Sequence, residues 1–113
     1  MISNNILNDI AFTESKPNIT VLFESSFSKE IRILLKENQL MKEHKTPYPI
    51  VVEVFEGTVD FGVQGEIHNL KKGDILTLEG NIPHDLKATS DCIIRLSLSK
   101  LDSVDRVKGV LKL

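Results

Sequence analysis

The sequence predicts an all-β domain, a sandwich or small barrel of short antiparallel strands. Three observations carry that prediction. Apolar residues alternate with polar ones at a period of two over almost everything after residue 19. Turn-forming residues interrupt this alternation at short intervals. And at 113 residues the chain is long enough for one core and too short for two.

The strands follow in order. Ile31, Ile33 and Leu35 alternate with Arg32, Leu34 and Lys36; Val59, Phe61 and Val63 alternate with Asp60 and Gly62. Ile75 and Thr77 alternate with Leu76 and Leu78, and Cys92, Ile94, Leu96 and Leu98 alternate with Ile93, Arg95 and Ser97. Alternate residues share a face, so each run reads as a half-buried strand. The turns fall at Glu37-Asn38, Glu56-Gly57, Gln64-Gly65, Lys72-Gly73-Asp74, Gly80-Asn81 and Ser90-Asp91. Glycine and asparagine supply the positive φ that tight hairpins need. The expected strands are 19–25, 29–36, 40–46, 50–56, 58–64, 66–70, 74–79 and 84–98, the last split near Ser90. Short terminal helices are expected at both ends. Ile6, Leu7 and Ile10 follow Ser3 at one end, and Asp102 as N-cap precedes Gly109 at the other. The whole of 1–113 is one domain with its core at about 19–99. Residues 1–18 are an N-terminal extension and 100–113 a C-terminal helix or tail.

Composition narrows the function. A hydrophobic share of 41% with 27% charged residues is that of a globular protein. A net charge of -2, with the signs interspersed, builds no basic field, so nucleic acid is not an expected partner. No stretch approaches the roughly 20 apolar residues of a membrane-spanning helix, and no membrane association is expected. Cys92 is the single cysteine, which rules out an intrachain disulfide and suits a reducing compartment. Residues 1–10 lack the basic start and apolar run of a signal peptide, so the expected location is the cytoplasm. No nucleophile elbow surrounds any serine, and no glycine loop suits a phosphate.

Two segments carry the chemistry. One runs His44-Lys45-Thr46-Pro47-Tyr48-Pro49-Ile50 and closes at Gly57; the other runs from Gly73 to Pro83-His84. Together they resemble the two motifs of the cupin superfamily, and the resemblance covers about residues 30–98. It implies a jelly-roll β-barrel, or double-stranded β-helix. In the family, two histidines and a glutamate of the first motif and one histidine of the second bind a metal inside the barrel. In this chain His44 takes the first histidine position and Gly57 the closing glycine. Thr46 stands in the second histidine position and Ile50 in that of the glutamate. Gly73 and His84 match the second motif, while Glu79, Asn81 and Ala88 replace its proline, second glycine and asparagine. Half of the expected ligand set is therefore missing.

If His44 faces the interior, strand parity puts Thr46 and Ile50 there too. Thr46 is a poor metal ligand and Ile50 is none, whereas a transition-metal site usually has three or four protein ligands. An apolar wall with a few polar groups is the usual form of a small-molecule site. The first expectation is thus a non-catalytic barrel binding a small molecule. His44, Thr46, Tyr48 and His84 would be its polar contacts, and Ile50, Val52, Leu86 and Leu96 its apolar wall. The second is a metal-dependent oxygenase or isomerase that uses His44 and His84 on iron, manganese, zinc or nickel. The third is a dimeric scaffold without ligand. Glu43 alternates away from His44, but it or Glu79 would reach in if the strand bulged. His68 reads as a solvated edge residue, and Cys92 as a buried, inert thiol. Leu34, Val51, Phe55 and Ile93 lie on the faces opposite the interior residues. They call for a second covering layer, expected to be another copy in a homodimer.

Overall fold

In the computed structural model, which describes residues 1–100, nine strands form two antiparallel sheets. The strands are β1 (Asn18–Glu24), β2 (Ser28–Leu35), β3 (Leu40–His44), β4 (Ile50–Glu56) and β5 (Thr58–Val63), followed by β6 (Glu66–Lys71), β7 (Ile75–Leu78), β8 (His84–Ala88) and β9 (Cys92–Ser99). One sheet has the order β1-β2-β9-β4-β7 and the other β3-β8-β5-β6. The all-β expectation holds, and the long last run is split at Ser90-Asp91.

The inward residues of each alternating run meet between the sheets. Ile31, Ile33 and Leu35 of β2, Ile50, Val52 and Val54 of β4, Val59 and Phe61 of β5, Leu86 and Ala88 of β8, and Cys92 and Ile94 of β9 form one buried cluster. Phe61 is the largest fully buried side chain. The turns close as their residues demand. Gln64 (φ 52°) and Gly65 (φ 80°) are both left-handed, between the paired residues Val63 and Glu66, which makes a two-residue hairpin loop.

The N-terminal segment departs from expectation. Residues 6–9 form a turn, not a helix. The cause is Arg32, which projects from the outer face of β2 and is only 3% exposed. Its guanidinium donates to the carbonyls of Ile6 (2.9 Å), Asn8 and Asp9 (3.3 Å). A helix would direct these carbonyls to its own N–H groups; here they accept from the two terminal nitrogens of a buried cation, whose Nε has no partner among the described residues. Further along, Gln39 donates to the Thr13 and Glu14 carbonyls, and Lys36 pairs with Glu14 at 2.7 Å. The segment thus lies as a strap across the outer face of β2. Leu34 (0% exposed) and Ile93 (7%) are buried there, outside the central cluster. Part of the cover expected from a second copy is supplied by the chain itself. The helix expected at Asp102–Gly109 lies outside the described residues.

Cys92 is buried, as expected. Burial, reinforced by the charge of Asp91, pushes its thiol up to about 12. We expect no reaction with iodoacetamide at neutral pH until the protein unfolds, checked by mass spectrometry across a urea series. The unfolded thiol ionises near its ordinary value while the folded one keeps its proton. This group therefore favours unfolding increasingly as pH rises from about 9 towards about 12.

Candidate functional site

The two histidines meet. His44 at the end of β3 and His84 at the start of β8 are direct cross-strand partners. Their ring centroids are 4.4 Å apart and the planes are inclined at 59°. His84 is 4% exposed and lies almost parallel on Phe61, at 5.6 Å and 12°. His44 is exposed. One ring is therefore fixed by the core, and the other is presented over it.

Backbone carbonyls set both tautomers. Nδ1 of His44 donates to the Lys42 carbonyl at 2.8 Å, and Nδ1 of His84 to the Ile82 carbonyl at 2.9 Å. A carbonyl oxygen only accepts, so in each neutral ring Nδ1 carries the proton and Nε2 the lone pair. Neither Nε2 has a hydrogen-bond partner among the described residues. The site thus offers two neighbouring acceptors held by the backbone.

The loops that carry the rings are tied together. Asn81 (φ 65°) donates its N–H to the Thr46 carbonyl at 2.6 Å, and the Thr46 hydroxyl donates to the Tyr48 carbonyl at 2.9 Å. Thr46 lies beyond the end of β3, and its hydroxyl is occupied locally. Ile50 and Val52 (each 3% exposed) and Leu86 (4%) belong to the packed core, and Leu96 lies half-buried against it. Thr46 and Tyr48 line a depression of about 380 Å³ with Pro47 and Leu98, whereas His84 lines a different one of about 310 Å³. The expected set is therefore divided: the histidines are together, Thr46 and Tyr48 form a neighbouring surface, and the aliphatic residues support from within.

Sequence reasoning missed the surroundings of His84. Its depression is lined by Glu43, Gln64, Glu66 and Asp85, with Pro83 and Gly65. β3 does bulge, between Met41 and His44, and Glu43 lies at that bulge beside His84's depression. Nothing in the local sequence marks the bulge. Asp85 was legible only as an outward residue of an alternating strand. Glu79 does not line this depression. His68 lies exposed on β6, its Nε2 3.6 Å from Glu66 Oε2.

A family model described as the AraC-like ligand binding domain matches residues 30–103. The chain belongs to this family. Among solved structures, this AraC-like domain is similar to an RmlC-like cupin protein from Desulfovibrio desulfuricans, at 22% identity and a TM-score of 0.80, over 88% of this chain and 96% of that one. It is similar to a conserved protein of unknown function from Streptococcus pyogenes at 16% identity and TM-score 0.76, over 88% and 87% of the two chains. It is also similar to KdgF from Halomonas sp. at 15% identity and TM-score 0.75, over 92% and 97%. These likenesses show the cupin double-stranded β-helix. No curated protein matches the chain.

The metal of the wider fold family can be tested against this donor set. Two bare Nε2 atoms suit a divalent ion. The remaining positions do not: the Thr46 hydroxyl is engaged, and Ile50 has no donor atom. Among the described residues no group of three or more His, Cys, Asp and Glu side chains is arranged to hold a metal. Among the described residues, the AraC-like domain therefore presents no ligand set of a three-residue catalytic centre.

Proposed function

We propose that this AraC-like domain is a non-catalytic small-molecule-binding barrel with His44 and His84 at the centre of its recognition site. The observation that carries the reading is the pair of Nε2 acceptors, one mounted on the buried Phe61 ring and each fixed in tautomer by its own backbone. A preorganised acceptor pair costs little to order on binding, which is what recognition of a hydrogen-bond donor requires. Thr46 and Tyr48 at the adjoining depression extend the polar surface, and Ile50, Val52, Leu86 and Leu96 hold it in place.

The test is a thermal-shift screen of the untagged protein against metabolites. A true ligand at a hundredfold excess over its Kd stabilises the fold by about 2.7 kcal/mol. His84→Asn should abolish that gain with little change in the unliganded Tm. Asparagine can keep a donor near Nδ1 for the Ile82 carbonyl but has no atom at Nε2. A ligand that stabilises wild type and His84→Asn equally would refute the assignment.

One alternative draws on the same two nitrogens: a metal-dependent cupin enzyme in which His44 and His84 share an ion of iron, manganese, zinc or nickel. Stoichiometric metal in untagged protein, lost in both His44→Ala and His84→Ala, would replace our reading with that one. A protein that neither responds to any ligand nor holds metal would be left as a scaffold. We further propose a cytoplasmic location, in keeping with the single buried thiol, and a homodimer. The pairing would draw on half-buried Val51 and Phe55 and on exposed Ile75, beyond the strap.

A further inference from the structure

We infer that β6 is an interaction edge whose partner is the β6 of a second copy, paired antiparallel across a two-fold axis. This goes beyond the binding site proposed above and rests on none of its residues. Among the described residues, β1, β7, β3 and β6 are the edge strands of the two sheets. An open edge presents unpaired N–H and C=O groups, and folded proteins guard it with short strands, bulges or covering segments. β1 carries a bulge between Val21 and Phe23, and Asn4 of the strap donates to its Leu22 carbonyl at 2.9 Å. β3 carries the bulge between Met41 and His44, and β7 is only four residues long. β6 has none of these guards. Its six residues run in unbroken register with β5, it holds no proline, and its Ile67 is 72% exposed.

The open groups on this edge can be counted. Val63 and Glu66 flank the two-residue loop Gln64-Gly65, so they exchange both hydrogen bonds, and bonded pairs then alternate along the hairpin. Glu66, His68 and Leu70 thus bond to β5, while Ile67, Asn69 and Lys71 turn their backbone groups outward. The far side of β5 agrees: Thr58, opposite Lys71, gives its carbonyl to the Thr89 N–H. Lys71 is already satisfied, because Asp74 accepts from its N–H and donates to its carbonyl, both at 2.9 Å. Ile67 and Asn69 keep their N–H and C=O groups without a backbone partner among the described residues.

A second copy fits that set. A two-fold axis midway between the two His68 residues sets Ile67 opposite the second copy's Asn69, and Asn69 opposite its Ile67. Both are bonded pairs, so the open groups are all used and none is left over. Opposed residues also share a face, as one continuous antiparallel sheet requires. Charge selects the same direction. Glu66 begins the strand, and Lys71 and Lys72 stand at its end. Antiparallel pairing lays each acidic end beside the other copy's basic end, whereas a parallel partner would oppose like charges. The contact is small, so the association is a weak one.

Sedimentation of the full 113-residue chain from about 10 μM to about 1 mM tests the inference, a range that suits a weak contact. We expect the mass to rise towards that of a dimer with concentration. Ile67→Pro removes an N–H that the fold leaves facing solvent, which an edge strand tolerates, and should weaken association by about tenfold or more. Glu66→Lys should weaken it, and so should Lys71→Glu combined with Lys72→Glu. An equimolar mixture of those two variants should associate again, because both contacts then regain opposite charges. A mixture that stays monomeric, or Ile67→Pro associating as wild type does, would overturn the inference. Phe55→Asp separates this edge from the homodimer face proposed above. If that change alone abolishes association, the outer-sheet pairing stands and the β6 edge falls. If association survives Phe55→Asp and is lost in Ile67→Pro, the β6 edge stands and the outer-sheet pairing falls. A wild-type monomer throughout the range removes both.

Discussion

Gly57→Ala should destabilise the domain by about 3–5 kcal/mol, the sum of left-handed backbone strain and overpacking against an unyielding neighbour. Gly57 has φ +85°, and a Cβ there would lie 2.3 Å from the Asp91 carbonyl oxygen, 2.7 Å from Cys92 Cβ and 2.8 Å from Cys92 Cα. These atoms cannot retreat. Cys92 is fully buried, and the same corner is fastened by Thr58 N–H donating to Ser90 Oγ at 3.0 Å and Thr89 N–H to the Thr58 carbonyl at 3.1 Å. Gly73 supplies the control. Its φ is +93°, but nothing stands within 4 Å of its Cβ position. Gly73→Ala should therefore cost only the backbone part, about 1–2 kcal/mol. Urea unfolding of the two variants separates the terms; equal losses would show that the contact with Asp91 and Cys92 carries no energy.

The same corner shows what a sequence can disclose. Gly57 is readable as the end of a hairpin, because a positive φ is a local property. That it abuts Cys92 is not readable, because the contact joins strands distant in sequence. Likewise the alternation of Ile50, Val52 and Val54 marks their common face and their burial follows. The sequence strand 40–46, by contrast, stops at His44, since Thr46 gives its carbonyl to Asn81 across a loop. The meeting of His44 and His84 was legible through their places in two motifs. That Glu43 and Asp85 would line one depression with His84 was not, because the bulge in β3 and the register of β5 with β8 join residues distant in sequence; from the sequence, Glu43 enters only on condition of such a bulge. Arg32 looked like one polar residue of an alternating strand. Only the fold reveals that three carbonyls of the N-terminal segment close over it, and that this costs the segment its helix.

Phe61 should join the core to the site, and its substitutions can separate the two roles. Phe61→Ala removes the largest fully buried side chain and should cost about 3–5 kcal/mol, measured by urea or thermal unfolding. It also removes the surface on which the His84 ring rests at 5.6 Å, so a loss of binding in that variant would be ambiguous. Phe61→Leu resolves this. Leucine refills most of the volume, so the loss should shrink to about 1–1.5 kcal/mol and the fold should persist. It offers no flat aromatic face, however, so His84 loses one of the two restraints on its ring and keeps only its bond to Ile82. If preorganisation of Nε2 underlies recognition, Phe61→Leu should weaken a ligand at His84 by about tenfold while the protein stays folded. Phe61→Tyr is the complementary case: the ring plane survives, but a hydroxyl is added at a site with 0% exposure. Stability should then fall through the buried hydroxyl, with binding retained in the folded fraction. Unchanged affinity in Phe61→Leu would mean that the Nδ1–carbonyl bond alone orients His84 and the aromatic ring only fills space.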